Sequence, residues 1–184
     1  MNRDTSQSPG EVIAYKRGRF ATRLPVARRY TLSHFWLREE EPGLWLAGFT
    51  KFASRMLGEL VEYEFSLKIG EPVAIGQSIG WVEGFKAVSD LYSVAAGEFL
   101  GPNPALTQNI TLVDSDPYYQ GWLYQVRGLP DQLVHGANPV QWIIAQVPDI
   151  FTNSYCQFFP FELDYIPFVS RFKITVLIEY IVIG

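Results

Sequence analysis

The chain has 184 residues, of which 48% are hydrophobic and 18% are charged. This composition excludes a disordered chain, because disorder requires low hydrophobicity and high net charge, and the length excludes a large multidomain enzyme. The net charge of −4 gives no case for nucleic-acid binding. The single cysteine excludes an intrachain disulfide, which fits a reducing compartment.

Charge is distributed unevenly along the chain. Residues 1–30 hold seven Lys/Arg and two Asp/Glu, a net charge of +5. Residues 31–130 hold six Lys/Arg and twelve Asp/Glu, a net charge of −6. Residues 131–184 hold two Lys/Arg and five Asp/Glu, a net charge of −3. The sequence therefore divides into a basic lead, an acidic middle and a tail with few charges.

We interpret residues 1–29 as a basic N-terminal arm exposed to solvent. Arginine-rich leads also occur in mitochondrial transit peptides, but the acidic Asp4 and Glu11 and the helix-breaking Pro25 disfavour that alternative. No apolar run follows the start, so the sequence predicts no secretory signal.

Short β-rich runs separated by glycines fill residues 44–127 and predict many short strands joined by turns. Leu44–Phe49 is one such strand. Thr50 is then a predicted N-cap, and Gly58 a predicted C-terminal stop, for a helix over residues 51–57. The spacing predicts that one face of this helix enters the core, with Phe52, Ala53, Met56 and Leu57.

Further strands are predicted over residues 60–67, 72–82, 88–94 and 122–126. In the first, Val61, Tyr63 and Phe65 are predicted to face the core, opposite Glu62 and Glu64. Residues 83–87 are a candidate hairpin tip, and Asp116-Pro117 is a turn or a helix start. In the tail, the sequence predicts a helix over 138–146 and a terminal strand over 172–183, which is too short and too charged to span a bilayer.

Motifs for catalysis and metal binding are absent from the sequence. The candidate metal ligands are far apart and lack ligand spacing: His34, His135 and Cys156. No nucleophile motif is present. Three glycines spaced by four match neither a dinucleotide-binding nor a phosphate-binding loop, and in strands such residues mark bulges or bends: Gly76, Gly80 and Gly84.

The hairpin around Lys86 is the remaining candidate site. By itself Lys86 is an exposed lysine at a turn, for which a solvated charge is the ordinary interpretation. A tight hairpin nevertheless holds such an amine at a fixed point clear of the sheet. That presentation suits a modifying enzyme and a series of partner enzymes.

At these residues the sequence resembles the glycine cleavage system H-protein family. The resemblance covers about half of the chain and depends on the order and spacing of several short motifs. They are residues 30–36 (YTLSHFW), 48–53 (GFTKFA), 57–58 (LG), 83–90 (EGFKAVSD), 97–98 (GE), 103–106 (NPAL), 116–118 (DPY) and 121–122 (GW).

The resemblance implies a mainly β, barrel-sandwich hybrid fold of the lipoyl/biotinyl-carrier type with short flanking helices, over residues 30–128. It implies a carrier without catalytic activity, with lipoate in amide linkage to Lys86 on a hairpin formed by Glu83, Gly84, Phe85 and Ala87. The lipoyl arm would take the aminomethyl group of glycine from a pyridoxal-phosphate glycine decarboxylase to a tetrahydrofolate-dependent aminomethyltransferase. The other implied partners are dihydrolipoyl dehydrogenase and a lipoate ligase or lipoyl transferase, with no nucleic acid and no membrane.

Some features depart from the family pattern or leave alternatives open. The family usually has small or β-branched residues before the lysine, so Phe85 could shield the arm or change partner recognition. Phe85 and Ala87 disfavour biotin, whose lysine usually lies between methionines. The alternatives are an H-like carrier for lipoate relay or sulfur metabolism, and an unmodified adaptor. A cytoplasmic location is expected, or a mitochondrial one in a eukaryote.

Residues 129–184 form an atypical apolar C-terminal extension. Residues 131–184 hold ten aromatic residues but only seven charges. The segment is a lineage-specific extension packed on the body, a partner surface, or the product of an altered reading frame. The abrupt end of the familiar pattern near residue 128 favours the last.

Overall fold

The computed structural model describes residues 11–17, 20–31 and 33–131. Within these residues the chain is mainly β, with eleven strands and three short helices. The strands are β1 (Val12–Arg17), β2 (Phe20–Pro25), β3 (Arg29–Tyr30), β4 (Phe35–Glu41), β5 (Leu44–Phe49), β6 (Leu60–Phe65), β7 (Pro72–Val73), β8 (Ser78–Gly84), β9 (Ala87–Tyr92), β10 (Ala95–Pro102) and β11 (Tyr124–Pro130). The helices are α1 (Lys51–Leu57), α2 (Pro104–Gln108) and α3 (Leu112–Ser115).

The strands form three antiparallel sheets. A six-stranded sheet has the order β3-β4-β5-β11-β10-β7, a three-stranded sheet has the order β6-β8-β9, and β1 pairs with β2. The main hydrophobic core contains buried residues from both of the larger sheets, for example Phe35 and Phe99 from the first and Val82 and Leu91 from the second. The two sheets therefore pack as a sandwich, in agreement with the fold class implied by the resemblance.

Tyr124 lies at the centre of this core. Its ring is 6.4 Å from that of Phe35, 6.0 Å from that of Phe65 and 6.3 Å from that of Phe99. Its hydroxyl accepts a hydrogen bond from the Val94 backbone (3.0 Å) and donates to the Tyr92 carbonyl (3.1 Å). Because the hydroxyl is satisfied in this way, a polar aromatic side chain is buried without an unpaired group. Burial raises the pKa of Tyr124 well above its ordinary value.

A second hydrophobic cluster includes Trp36, Leu46 and Leu24. Beside it the guanidinium of Arg28 lies over the rings of Trp36 (5.4 Å) and Tyr119 (5.5 Å). Leu24 and Arg28 are both buried. The last part of the segment predicted as a solvated arm, residues 1–29, therefore packs against the body, and cation–π contacts stabilise the buried arginine.

The local signals around the first helix are confirmed. The strand Leu44–Phe49 and the helix Lys51–Leu57 have the predicted bounds, and the Thr50 side chain accepts a hydrogen bond from the Ala53 backbone (3.4 Å). Of the predicted inward face, Phe52 and Leu57 are buried, whereas Ala53 and Met56 are partly buried. Ser54, which was not predicted to face the core, is fully buried.

Other strand predictions are corrected by the structure. The strand at 60–67 ends at Phe65, and Val61 is 51% exposed because a bulge between Leu60 and Glu62 turns it outward. The strand at 72–82 is two strands, separated by a turn in which Gly76 has φ +76°.

The end of the described chain also differs from the prediction. The strand predicted over 122–126 is β11, Tyr124–Pro130, so the first two residues of the predicted extension 129–184 belong to this strand. Asp116-Pro117 lies in a turn after α3. The helix predicted over 138–146 and the strand predicted over 172–183 lie outside the described residues.

Asn103 connects the start of α2 to the segment that leads into β11. Its Oδ1 accepts from the Ala105 backbone (3.0 Å), and its Nδ2 donates to the carbonyls of Gln120 (2.7 Å) and Trp122 (2.8 Å). We predict that Asn103→Ala lowers the free energy of unfolding by about 2–3 kcal/mol, since this buried side chain makes three hydrogen bonds that contribute about 1 kcal/mol each. Urea unfolding measures the effect. The exposed Gln108→Ala at the end of α2 is the control, and an equal loss in that variant would contradict the prediction.

Candidate functional site: the Lys86 hairpin

Strands β8 and β9 meet in a hairpin with a two-residue tip, Phe85-Lys86. Gly84 and Ala87 form the last cross-strand pair, and Glu83 lies one position earlier, opposite Val88. The structure therefore brings together all five residues that were predicted to form and present the site. Lys86 is exposed, and the Phe85 side chain is 76% exposed.

The tip of the hairpin is held against the end of α1. The backbone N–H of Lys86 donates to the Leu57 carbonyl (3.0 Å), and that of Phe85 donates to the Glu59 carbonyl (3.0 Å). These bonds satisfy a carbonyl that the helix end would otherwise leave free. They also fix the backbone of Lys86 relative to the body of the protein, which a free hairpin would not do.

Two glycines permit this close approach. A Cβ on Gly84 would lie 2.3 Å from the Leu57 carbonyl oxygen, which is closer than real Cβ contacts come. Gly58 has φ +80°, and a Cβ there would lie 3.1 Å from the backbone nitrogen of Lys86. Both positions therefore require glycine, and for different reasons: Gly84 for space, and Gly58 for backbone conformation as well as space.

The amine of Lys86 is available for chemistry. Its Nζ donates to the Arg55 carbonyl at 3.4 Å, a long hydrogen bond between exposed groups. Water competes easily for such a bond, so it restrains the side chain only weakly. The arrangement thus combines a fixed backbone with a reachable nucleophilic nitrogen.

A groove with a volume of about 830 Å³ lies beside the lysine. Its walls come from three separate parts of the chain: helix α1 and the residues that follow it, helix α3, and the hairpin tip. Phe52 and Met56 supply apolar surface, and Thr111 and Ser115 supply hydroxyl groups. This volume falls within the range of about 300–1,000 Å³ for small-molecule sites.

The walls of the groove are tied together through Asp114. Its Oδ2 accepts a hydrogen bond from the Leu60 backbone (3.2 Å), and its carbonyl accepts one from the Lys51 amine. These bonds join α3 to the first residue of α1 and to the first residue of β6. Sequence reasoning missed the contribution of α3 because more than fifty positions separate it from α1, and neither segment contains a local signal for the contact.

His34 has an unusual environment near this site. It is the non-glycine residue with positive φ (60°) in the described residues, and its ring lies 4.3 Å from that of Phe52, which lines the groove. Its Nδ1 is buried and has no hydrogen-bond partner among the residues that the structure describes. Burial lowers the pKa of His34 to about 4, because the charged ring would lose its hydration.

A pH dependence of stability follows. The unfolded state binds a proton on His34 at a higher pH than the folded state does. The contribution of neutral His34 to the free energy of unfolding is therefore complete above about pH 6.5 and is lost as the pH falls towards about 4. Asparagine tolerates positive φ. We predict that His34→Asn reduces, by about 2 kcal/mol, the loss in free energy of unfolding that the wild type shows between about pH 7 and about pH 5. Urea unfolding at the two pH values measures it, and an identical slope in both proteins would contradict the prediction.

The described residues provide no other chemical centre. Among residues 11–17, 20–31 and 33–131, no group of three or more His, Cys, Asp or Glu side chains could hold a metal ion. His135 and Cys156 lie outside these residues. No helix in the described part of the chain is long and apolar enough to cross a membrane.

Comparison with known proteins places the hairpin within a matched region. The family model described as glycine cleavage H-protein matches residues 28–135. The chain is 36% identical over 104 residues to a glycine cleavage system H protein of Enterobacter sp. (strain 638). This match covers 56% of this chain and 80% of that protein. It is 37% identical over 103 residues to one of Shewanella sp. (strain ANA-3), with 56% and 79% covered.

A solved structure shows the same fold. The crystal structure of a glycine cleavage system H protein from Mycobacterium marinum superposes with a TM-score of 0.58 at 31% identity. The match covers 66% of this chain and 98% of that one. The sandwich described above is therefore similar to nearly the whole length of the solved structure.

Proposed function

We propose that this chain, which belongs to the glycine cleavage H-protein family, carries lipoate on Lys86 and transports the aminomethyl group of glycine between enzymes. Members of this family are carriers without catalytic activity. The observation that carries the proposal is the exposed Lys86 at a two-residue hairpin tip, fixed by its backbone to the end of α1 within the matched region.

The residues at the site fit a lipoyl group. Lys86 offers an exposed primary amine, and amide formation there would remove its charge. The groove beside it offers both apolar and hydroxyl-bearing surface. When attached, the lipoyl group supplies the disulfide and dithiol chemistry of the transfer. The protein keeps the arm near whichever enzyme has docked, which raises its effective concentration.

The proposal assigns this role to the body of the protein, residues 30–128, together with the flanking residues that pack on it: Leu24, Arg28 and the end of β11. The family match over 28–135 supports the assignment. The partners are glycine decarboxylase, aminomethyltransferase, dihydrolipoyl dehydrogenase and the enzyme that attaches lipoate, with the cytoplasm as the expected location. The net charge of −6 over residues 31–130 would speed encounter with basic partner surfaces.

Reconstitution tests the proposal. The full chain is lipoylated, kept with its lipoyl group in the oxidised disulfide form, and incubated with glycine and purified glycine decarboxylase, and its intact mass is measured. We expect a glycine-dependent mass increase of one aminomethyl group, and its loss on addition of aminomethyltransferase with tetrahydrofolate. Lipoylated protein that never acquires this group would contradict the glycine-cleavage role and would favour a lipoate-relay carrier.

A further inference from the structure

The hairpin formed by β1 and β2, here called the N-terminal hairpin, lies outside the residues that the family model matches. It is nevertheless fixed to the body of the protein. The Tyr30 hydroxyl donates a hydrogen bond to the Pro25 carbonyl (2.8 Å), and the Arg55 guanidinium donates one to the Ala21 carbonyl (2.8 Å). Leu24 is buried in the second hydrophobic cluster. The N-terminal hairpin therefore has a defined position on the body.

One side of the N-terminal hairpin carries two exposed cations. The cross-strand pairs Ala14–Arg23 and Lys16–Ala21 place each cation opposite the small side chain of an alanine. All four of these residues are exposed, whereas Leu24, which follows Arg23 on β2, is buried on the other side of the hairpin. The exposed side is therefore a small surface with two accessible positive charges, which we call the cationic face.

The two cations have no evident role within the protein itself. In the part of the chain that the structure describes, neither Lys16 nor Arg23 forms an ion pair with a carboxylate. The hairpin packs on the body with its other side, so the cationic face is not needed for that packing. Residues 12–25 contain four Lys/Arg and no Asp/Glu, whereas residues 31–130 have a net charge of −6. A surface of this kind attracts an anionic partner.

The N-terminal hairpin is joined to the candidate site through Arg55. The guanidinium of Arg55 reaches Ala21 on the hairpin, and its carbonyl accepts the long hydrogen bond from Nζ of Lys86. Arg55 also lines the groove beside the lysine. A stable protein interface covers about 800 Å² on each partner. An enzyme that encloses an arm on Lys86 and docks on the α1 side therefore comes within reach of the N-terminal hairpin.

Charges of both signs near one site restrict the orientation of a docked partner. The strands that lead to Lys86 carry Glu83 and Asp90, whereas the N-terminal hairpin carries Lys16 and Arg23. A partner with a basic surface opposite the carboxylates and an acidic surface opposite the cations fits in one orientation. In the reversed orientation like charges would meet, and such juxtapositions are strongly unfavourable. The cationic face can therefore set how a partner approaches the arm.

We propose that the cationic face docks against an acidic surface of the enzyme that loads the arm, glycine decarboxylase. The inference rests on the proposed function at Lys86. The oxidised lipoyl arm is neutral, because neither its amide nor its disulfide carries a charge. The loading enzyme therefore has only the protein surface for electrostatic recognition. After loading, the arm brings an amino group that the next enzyme can bind.

The test measures initial rates of aminomethyl loading by purified glycine decarboxylase as a function of the concentration of lipoylated carrier. We expect the double variant Lys16→Glu/Arg23→Glu to raise KM about tenfold at about 0.05 M salt, with kcat little changed, because like charges would then meet on docking. Raising the salt to about 0.5 M should reduce this difference to about twofold, because the Debye length falls to about 4 Å.

Single charge reversals provide the matched comparison. Lys16→Glu and Arg23→Glu should each raise KM about threefold, because separate contributions add as free energies. Lys68→Glu makes the same charge change at an exposed position in the loop between β6 and β7, at the end of the sheet opposite the Lys86 hairpin, and should keep the wild-type KM. Circular dichroism and intact mass check that each variant is folded and fully lipoylated. If the double variant is unfolded, the single variants decide the outcome.

The outcomes separate this inference from the proposed function. Unchanged KM in the cationic-face variants, with normal loading of the wild type, would overturn the docking surface and leave the carrier role intact. An increase in KM that persists in full at about 0.5 M salt would show that charge is not its cause, and would also overturn the inference. Lipoylated wild-type protein that the decarboxylase never loads would contradict both.

Discussion

Lys86→Arg is expected to abolish lipoylation while leaving the fold unchanged. Arginine keeps the positive charge and a long, flexible side chain, and the backbone bond from residue 86 to the Leu57 carbonyl does not depend on the side chain. The guanidinium group has a pKa above about 12 and does not act as the neutral amine nucleophile that amide formation requires. Intact mass after co-expression with a lipoate–protein ligase should show no lipoyl group.

Lys68→Arg is the matched control for this prediction. Lys68 is also exposed, and it lies in the loop between β6 and β7. This variant should carry one lipoyl group, as the wild type does. The free energy of unfolding should change by less than about 0.5 kcal/mol in both variants, as for ordinary surface substitutions. Lipoylation of Lys86→Arg at another lysine would show that the hairpin does not determine the site.

Gly84→Ala is expected to separate the hairpin tip from α1. The new Cβ would lie 2.3 Å from the Leu57 carbonyl oxygen, a backbone atom that cannot move aside without moving the helix end. The two hydrogen bonds from Phe85 and Lys86 to this segment would lengthen or break. We expect a loss of about 1–3 kcal/mol in unfolding free energy, as for overpacked sites. The misplaced lysine should be lipoylated about tenfold to a hundredfold more slowly.

Gly70→Ala controls for the general cost of adding a side chain at a glycine. Gly70 has φ +91°, and a Cβ there would come no closer than 3.9 Å to the Glu98 carboxylate, so its cost is conformational and not steric. It should lose about 1–2 kcal/mol and keep the wild-type rate of lipoylation. Equal rates in Gly84→Ala and the wild type, measured with the same ligase, would show that the anchoring to α1 has no part in presenting Lys86.

Local signals were sufficient to predict two of the elements that build the site, helix α1 and the hairpin. Thr50 and Gly58 fixed the ends of α1 because capping depends on residues within one turn of the helix end. Residues 83–87 predicted the hairpin because a two-residue tip depends on its immediate neighbours. These features need no knowledge of the rest of the fold.

Features that depend on distant parts of the chain were not predicted. The steric need for glycine at position 84 arises from Leu57, 27 positions earlier in the sequence. The alternating pattern of β6 placed Val61 inside, but the bulge against β8 turned it outward. The groove requires α1, α3 and the hairpin together. In each case the deciding contact is tertiary.

The choice of Lys86 as the candidate functional lysine came from the resemblance and not from local chemistry. Lys86 and Lys68 are both exposed lysines in loops or turns, and composition does not distinguish them. The ordered motifs around residues 83–90 singled out Lys86. The structure adds a physical difference, because the Lys86 backbone is bound to the end of a helix and the side chain borders a groove.

The most direct test of the carrier role is the intact mass of the full chain purified from lipoate-replete cells, followed by peptide mapping. We predict the addition of one lipoyl group, located on Lys86 alone. An unmodified Lys86 in such cells, or a lipoyl group on any of the other four lysines, would contradict it.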